Sequence, residues 1–349
     1  MASITSYHTE ENMKSLGQRT LRYTFSTTLV AAIVSCMLYT IIQPTAPHQI
    51  NLNESVSAIK GISYTDHISR LIPTHILEPF IEHNVMGVLL VAILVGASIR
   101  FIPNEQNRHI VAGFFQGLHS IFVTLTRWVV KGIPLALYSF IAVTVTQLRQ
   151  GLDISGIGEY LAIVVLANII QGFVVLPVWL KQNKISPYQT MRKVMPALSL
   201  AFFSKTSTGT LPVTIGCVEK QLRIDPKIAR FVLPLCTTIN MNGCAAFIFT
   251  TVIYLSQSHG MEITSWTMIS WIVVATIAAI GNAGVPMGCF FLSASLLSSM
   301  GVPLTLLGLI LPFYSIIDMI ETSLNVWSDV CVTQVINRDF QGRINESFN

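Results

Sequence analysis

Apolar residues are gathered into runs at about 20–43, 86–101, 110–147, 157–180, 192–217, 229–256, 265–299 and 302–336, separated by short polar stretches. A helix needs about 20 such residues to cross the hydrocarbon of a bilayer, so most of these runs predict spanning or membrane-buried helices. The stretch 44–85 bears Pro, Asn and scattered charge and predicts a long extramembrane loop. The run 110–147 exceeds one simple span. It predicts a single long or broken helix interrupted around Arg127–Lys131.

Two runs do not read as simple spans. Lys181, Lys184, Arg192 and Lys193 form one basic cluster, and Lys220, Arg223, Lys227 and Arg230 form another. Basic loops stay on the cytoplasmic side, so 192–217 must enter and leave on that side. Its middle reads SKTSTGTLP, a polar tip suited to a re-entrant hairpin. The run 265–299 carries a matching break, GNAGVP, with almost no Lys or Arg beside it, and predicts a second hairpin entering from outside. One such break is also what a kinked helix would give. Two opposed breaks in corresponding places point to a transporter site, because irregular backbone at membrane depth must line a cavity or be buried. The run 229–256 contains TTINMNGCA, where Asn240, Asn242 and Gly243 are poor helix residues. Carbonyls freed there suit a hard cation such as Na⁺; Asn bridging to another helix is the plainer alternative.

Composition agrees with the pattern. Of 349 residues, 52% are hydrophobic and 11% charged, the profile of a polytopic all-α membrane protein. The net charge of +4 is no nucleic-acid signal, because most Lys and Arg lie in short loops and report topology. Lys14, Arg19, Arg22, Arg338 and Arg343 place both termini in the cytoplasm of a cell whose inner (plasma) membrane holds the chain. Met1 to Gln18 is polar and lacks the apolar centre of a signal peptide. The expected parts are a tail at 1–22, mixed helices over 23–189, a core over 190–336 and a tail at 337–349. The six Cys form no CxxC and read as small buried residues, and the eight His show no metal-ligand spacing. No cofactor is called for. Walker, GxSxG and HExxH motifs are absent, so the chain does not read as an enzyme.

The last run ends in DMIETSLNVWSDV, residues 318–330. At 100° per residue Asp318, Thr322, Asn325 and Asp329 fall within about 60° of one another. Glu321 and Tyr314 lie on the same flank. Carboxylates in a membrane usually face a cavity and mark an ion or substrate path, although an acid at a helix end can reach water, as Asp339 is read to do. An aspartyl-protease dyad is excluded: Asp318 and Asp329 are about 16 Å apart along one helix, and a dyad must share one site.

TSTGTLPVT, LPLCTTINMNGCA, GNAGVP and DMIETSLNVWSD together resemble the hairpin tips, unwound helix and last helix of the glutamate/aspartate transporter family, the dicarboxylate or amino acid:cation symporters. The resemblance runs from about residue 14 to the C-terminus. It implies a homotrimer working as an elevator: a scaffold holds the trimer, while the parts after about 190, with 20–43 and 157–180, slide across the bilayer. It implies an amino acid or dicarboxylate as substrate and Na⁺ and/or H⁺ as coupling ion. Carried over by position, Asp318 would bind the substrate amine. Thr322 and Asn325 would hold its backbone end, Asn325 taking the α-carboxylate. Thr206, Ser207 and Thr208, with the backbone from Val285 to Gly288, would close over it. Asp329 with carbonyls of Cys236, Asn240 and Asn325 would form one Na⁺ site; Thr238, Met241 and backbone near Ala279–Asn282 would form a second.

Three departures from the family pattern change what it implies. The usual Arg is Glu321, and Tyr314 replaces its supporting Asp, which favours a neutral or basic substrate or makes Glu321 a proton carrier. NMDGT has become NMNGC, so Asn242 and Cys244 remove a charge and an oxygen ligand from a third Na⁺ site, while Thr27 and Thr28 remain. Against the pattern the chain also lacks two helices before 20–43, and a non-transporting remnant of such a symporter is the alternative reading.

Overall fold

The structure is a computed structural model that describes residues 10–45, 75–81, 85–132, 156–282, 284 and 286–346, with isolated residues between 135 and 149. Most of the expected 44–85 loop, the first nine residues and Val285 lie outside the described residues. Among the described residues there is helix and turn and no strand.

The first apolar run lies in α1, Glu10–Ile42. α2 (Val85–Arg100) and α3 (Glu105–Lys131) follow, and α3 stops near the interruption expected at Arg127–Lys131. α4 (Ile157–Ile170) runs through a π-helical turn, Gln171–Val175, into α5 (Leu176–Gln182). α6 (Pro187–Ser204) and α7 (Ser207–Lys220) pack on each other as a helical hairpin. The 229–256 run is two helices, α8 (Pro226–Ile239) and α9 (Asn242–Ser258). α10 (Ser265–Ile280) and α11 (Gly288–Ser299) flank the second tip and both pack on α9. α12, Thr305–Glu346, closes the chain.

Local chemistry sets the boundaries. Pro187 and Pro226 open α6 and α8, where a missing N–H costs nothing. Asp225 caps α8 through a 2.8 Å bond from Lys227 N–H. Thr264 and Thr267 exchange backbone bonds at the start of α10. Two helices run past the ends that hydropathy predicts. The expected tails 1–22 and 337–349 are helical over 10–22 and 337–346. Arg19 meets Asp339 at 2.6 Å and Tyr23 donates to the same carboxylate at 2.7 Å, so the polar ends of α1 and α12 support each other.

Among the described residues, four stretches are long and apolar enough to cross a membrane: Ser15–Ile42, Ile157–Gln182, Pro226–Ser258 and Thr305–Phe340. Their apolar faces form two cores. One surrounds α9 and takes Leu306 to Ile317 from α12; the other joins α5, α6 and α8 and takes Leu324 to Ile336. The acids of α12 begin between these two blocks.

The π-helical turn has a structural use. It leaves the Gly172 carbonyl available, and Trp327 Nε1 donates to it at 3.0 Å. Trp327→Phe should lose the donor and leave a small void in place of the second ring. We expect a cost of about 1–3 kcal/mol, read as a lowered melting transition of the purified protein; an unchanged transition would show that the bond contributes nothing.

Candidate functional site

The site forms where α8 stops. Asn240 and Met241 leave the helical region, at φ/ψ of −99/73 and −108/65. Asn240 is buried and donates to Ser328 Oγ and Asp329 Oδ1, both at 2.9 Å. Asn242 donates to Asn240 Oδ1 at 2.9 Å and to Ser328 Oγ at 2.7 Å. Gln171 in the π-helical turn donates to Asn242 Oδ1 at 2.9 Å and to the Thr27 carbonyl at 3.1 Å. Thr27 Oγ1 reaches Asn240 Oδ1 at 3.0 Å. The result is a directed chain of amides ending on the Asp329 carboxylate, tying α1, the π-helical turn, α9 and α12 to the break. Within it Gln171 Oε1 is buried and has no hydrogen-bond partner.

Asn325 faces the start of α9. Its Oδ1 accepts from Gly243 N–H at 2.9 Å, and its amide nitrogen lies 3.5 Å from Met241 Sδ and 3.6 Å from Cys244 Sγ. Asp318, 5% exposed, accepts from Met287 N–H of the second tip at 3.3 Å. Thr322 donates to the Asp318 carbonyl at 2.7 Å. Glu321 is 1% exposed, accepts from Tyr314 Oη at 3.3 Å through Oε2, and has no hydrogen-bond partner on Oε1.

The two tips meet at this place. Thr206 caps α7, accepting from Gly209 N–H at 3.2 Å, and Ser207 is buried behind it. Gly284 has φ +64; a side chain there would come within 2.9 Å of the Thr237 carbonyl and 3.3 Å of Thr208 Oγ1. So Thr208, though exposed, touches the second tip. At Gly288 an added Cβ would collide with Asn282 Oδ1, so a larger residue there would displace the Asn282 side chain.

Most residues singled out from sequence therefore converge: Thr206, Ser207, Thr208, Gly288, Asp318, Glu321, Thr322, Asn325, Cys236, Asn240, Met241 and Asp329 all line or brace the break and the tips. Thr238 is exposed and bonds back to the Leu235 carbonyl at 2.8 Å; the neighbouring Thr237 faces inward instead. Sequence reading missed Gln171, Asn168, Ser328 and Lys205. Asn168 and Gln171 are isolated amides in an otherwise apolar helix, which was the available signal. Lys205 ends α6 at φ +55 and donates to Ser315 Oγ at 2.5 Å, reaching across to α12. An apolar cavity of about 420 Å³ lies off to one side, among Phe173, Met195, Leu198, Phe202 and Trp327. No ionisable side chain is among its lining residues.

The model of the sodium:dicarboxylate symporter family matches residues 1–339. The chain belongs to that family. It is an all-α, multi-pass membrane protein. Among curated relatives it is 30% identical over 257 residues to the "Putative sodium-dependent excitatory amino acid transporter glt-4" of Caenorhabditis elegans, covering 73% of this chain and 51% of that protein. It is 27% identical over 248 residues to human neutral amino acid transporter A, covering 70% of this chain and 46% of the relative. For rat neutral amino acid transporter B(0) the identity is 28% over 248 residues, covering 70% and 44%. The chain thus spans about half the length of the curated relatives it matches. Those relatives are transporters, not enzymes.

Gly243 tests the geometry. A Cβ there would lie 2.8 Å from Glu321 Cα and 2.9 Å from Asn168 Oδ1. Gly243→Ala should destabilise by about 1–3 kcal/mol through overpacking. Gly216→Ala, with nothing within 4 Å of its added Cβ, should leave the melting transition unchanged or raise it. Equal effects of the two would refute the close approach of α9 to α12.

Proposed function

We propose that the protein is a secondary symporter of an amino acid, coupled to Na⁺, whose substrate sits between the two hairpin tips and the polar face of α12. The observation that carries this reading is Asp318. It is a buried carboxylate that meets a backbone N–H of one tip, on the face that the other tip also approaches. A zwitterionic amino acid needs such a carboxylate for its amine, and amides or helix ends for its carboxylate. Thr322 and Asn325 are placed to hold that second end. Asp329 with the break residues Cys236 and Asn240 would hold one Na⁺, and Met241 with the second tip another. The Asn242 amide, bonded to Gln171, Asn240 and Ser328, supports coupling to fewer ions than an acid there would allow.

Glu321 determines the side-chain preference. A buried carboxylate with one free oxygen does not pair with an acidic side chain. It pairs with a cationic one, or it carries a proton, in which case H⁺ joins Na⁺ as coupling ion. A neutral or basic amino acid is therefore favoured over a dicarboxylate. In the full cycle the hairpins would be re-entrant and would gate the site. The hairpin-bearing half would slide as an elevator in a homotrimer, with both termini cytoplasmic in the plasma membrane.

Proteoliposome uptake of labelled aspartate, serine and arginine, under separate Na⁺ and H⁺ gradients, tests the proposal. Gradient-driven uptake of serine or arginine above aspartate is expected; no uptake of any, from folded protein, would leave a non-transporting relative. Asp318→Asn should lower substrate binding by at least about a hundredfold, the scale of removing one charged partner from a buried pair. Glu321→Arg should shift preference toward aspartate. Normal binding by Asp318→Asn would show that the substrate lies elsewhere.

A further inference from the structure

Cys244 follows the helix break, Cys289 opens α11, and Glu321 faces both from α12. The two sulfurs and one Glu321 oxygen all lie within 4.8 Å of one another. Cys244 and Cys289 are each 2% exposed, and their Cα atoms are 5.5 Å apart. Asn282 Nδ2 donates to both sulfurs, at 3.1 and 3.3 Å. The two sulfurs are close enough to pair as a disulfide, but that pairing leaves Glu321 Oε1 without a hydrogen-bond partner. A divalent cation answers both demands at once. It takes the thiolates as ligands and neutralises a buried carboxylate whose only hydrogen bond among the described residues comes from Tyr314.

We propose that reduced Cys244 and Cys289, with Glu321, form a binding site for a borderline-soft divalent cation of the zinc class. Two sulfurs and one oxygen make three protein ligands, leaving a fourth tetrahedral position open. At metal–sulfur distances of about 2.3 Å the sulfurs of a tetrahedral site stand about 3.8 Å apart, a separation that side-chain rotation supplies from these Cα positions. Each thiol gives its proton to solvent as the ion binds, and the Asn282 N–H bonds offset part of the added negative charge. Mg²⁺ and Ca²⁺, which take oxygen ligands, fit poorly. Occupation would fasten the start of α11 to α9 and α12, and so hold the second tip closed over Asp318. It would also withdraw Glu321 from any substrate.

Binding can be read without transport, so failure of the transport proposal and failure of this one are distinguishable. The purified full chain is reduced, stripped with a chelator and titrated with Cd²⁺, following the ultraviolet thiolate-to-metal band; Zn²⁺ is then measured by competition with a chromophoric chelator. One equivalent should saturate the band. Cys244→Ser and Cys289→Ser should each abolish it, and Cys36→Ser should leave it intact. Glu321→Gln, which keeps both thiols, should weaken Zn²⁺ binding at least about tenfold, the lower bound for disturbing a zinc shell. This variant keeps the test decisive if a cysteine variant fails to fold. No band at one equivalent would overturn the proposal. So would a band that survives both serine variants, or a Cys244–Cys289 cross-link that mass spectrometry still finds after reduction.

Discussion

The break between α8 and α9 is the constraint on which the rest depends. Two residues, Asn240 and Met241, leave the helical path inside an apolar protein, and the polar groups they free cannot turn to water. Everything around them answers that need. Gln171, Asn242 and Asn240 pass hydrogen bonds in one direction, toward Asp329. Asn325 takes the Gly243 N–H in the first turn of α9. The π-helical turn brings Gln171 to the chain while handing the Gly172 carbonyl to Trp327, in keeping with the frequent occurrence of such turns at functional sites.

The position of this belt follows from the packing. α12 gives its residues up to Ile317 to one apolar core and those from Leu324 onward to the other. Asp318, Glu321 and Thr322 fall between, at the seam. The chain through the break does the same: Cys236 belongs to one core and Met241 to the other. A seam of this kind is held rigid from both sides by close-packed side chains. It can therefore carry buried carboxylates in fixed positions, which a site on a loop could not do with equal precision. The two tips close the seam, and Gly284 and Gly288 permit it because a side chain at either would meet a neighbouring group.

Much of this was legible in the sequence, for local reasons. Asn240, Asn242 and Gly243 declare a break because they are poor residues for an apolar helix. GNAGVP and SKTSTGTLP declare turns through Gly and Pro, and the acids of α12 fall on one stripe at the helical period. The details that escaped are those that need a third dimension. Thr238 turns outward and Thr237 faces inward, and the register of a helix near its broken end is not fixed by periodicity alone. Gln171 and Asn168 carry no motif, and only the fold brings them to a break some seventy residues away. Cys289 reads as a small apolar residue until α11 is laid against Cys244. The helical ends at 10–22 and 337–346 escaped for the opposite reason: hydropathy marks where a bilayer ends, and a helix braced by Arg19 and Asp339 need not stop there.

Two departures from the family pattern, Asn242 and Glu321, are linked through Gly243. That residue sits between Asn242 and Cys244 and lies against the Glu321 backbone. An acid at 242 would put a fourth carboxylate in the belt with Asp318, Glu321 and Asp329, and like charges in a low-dielectric region repel strongly. The amide at 242 removes that charge, and both of its N–H groups are bonded within the protein. The belt then holds three acids, two of which have hydrogen-bond donors on the break or the tip: Asp329 from Asn240 and Asp318 from Met287. Glu321 keeps a fully buried oxygen, Oε1, without a hydrogen-bond partner. The amide at 242 and the acid at 321 are thus two features of one distribution of charge about a single glycine, and the two positions are best varied together.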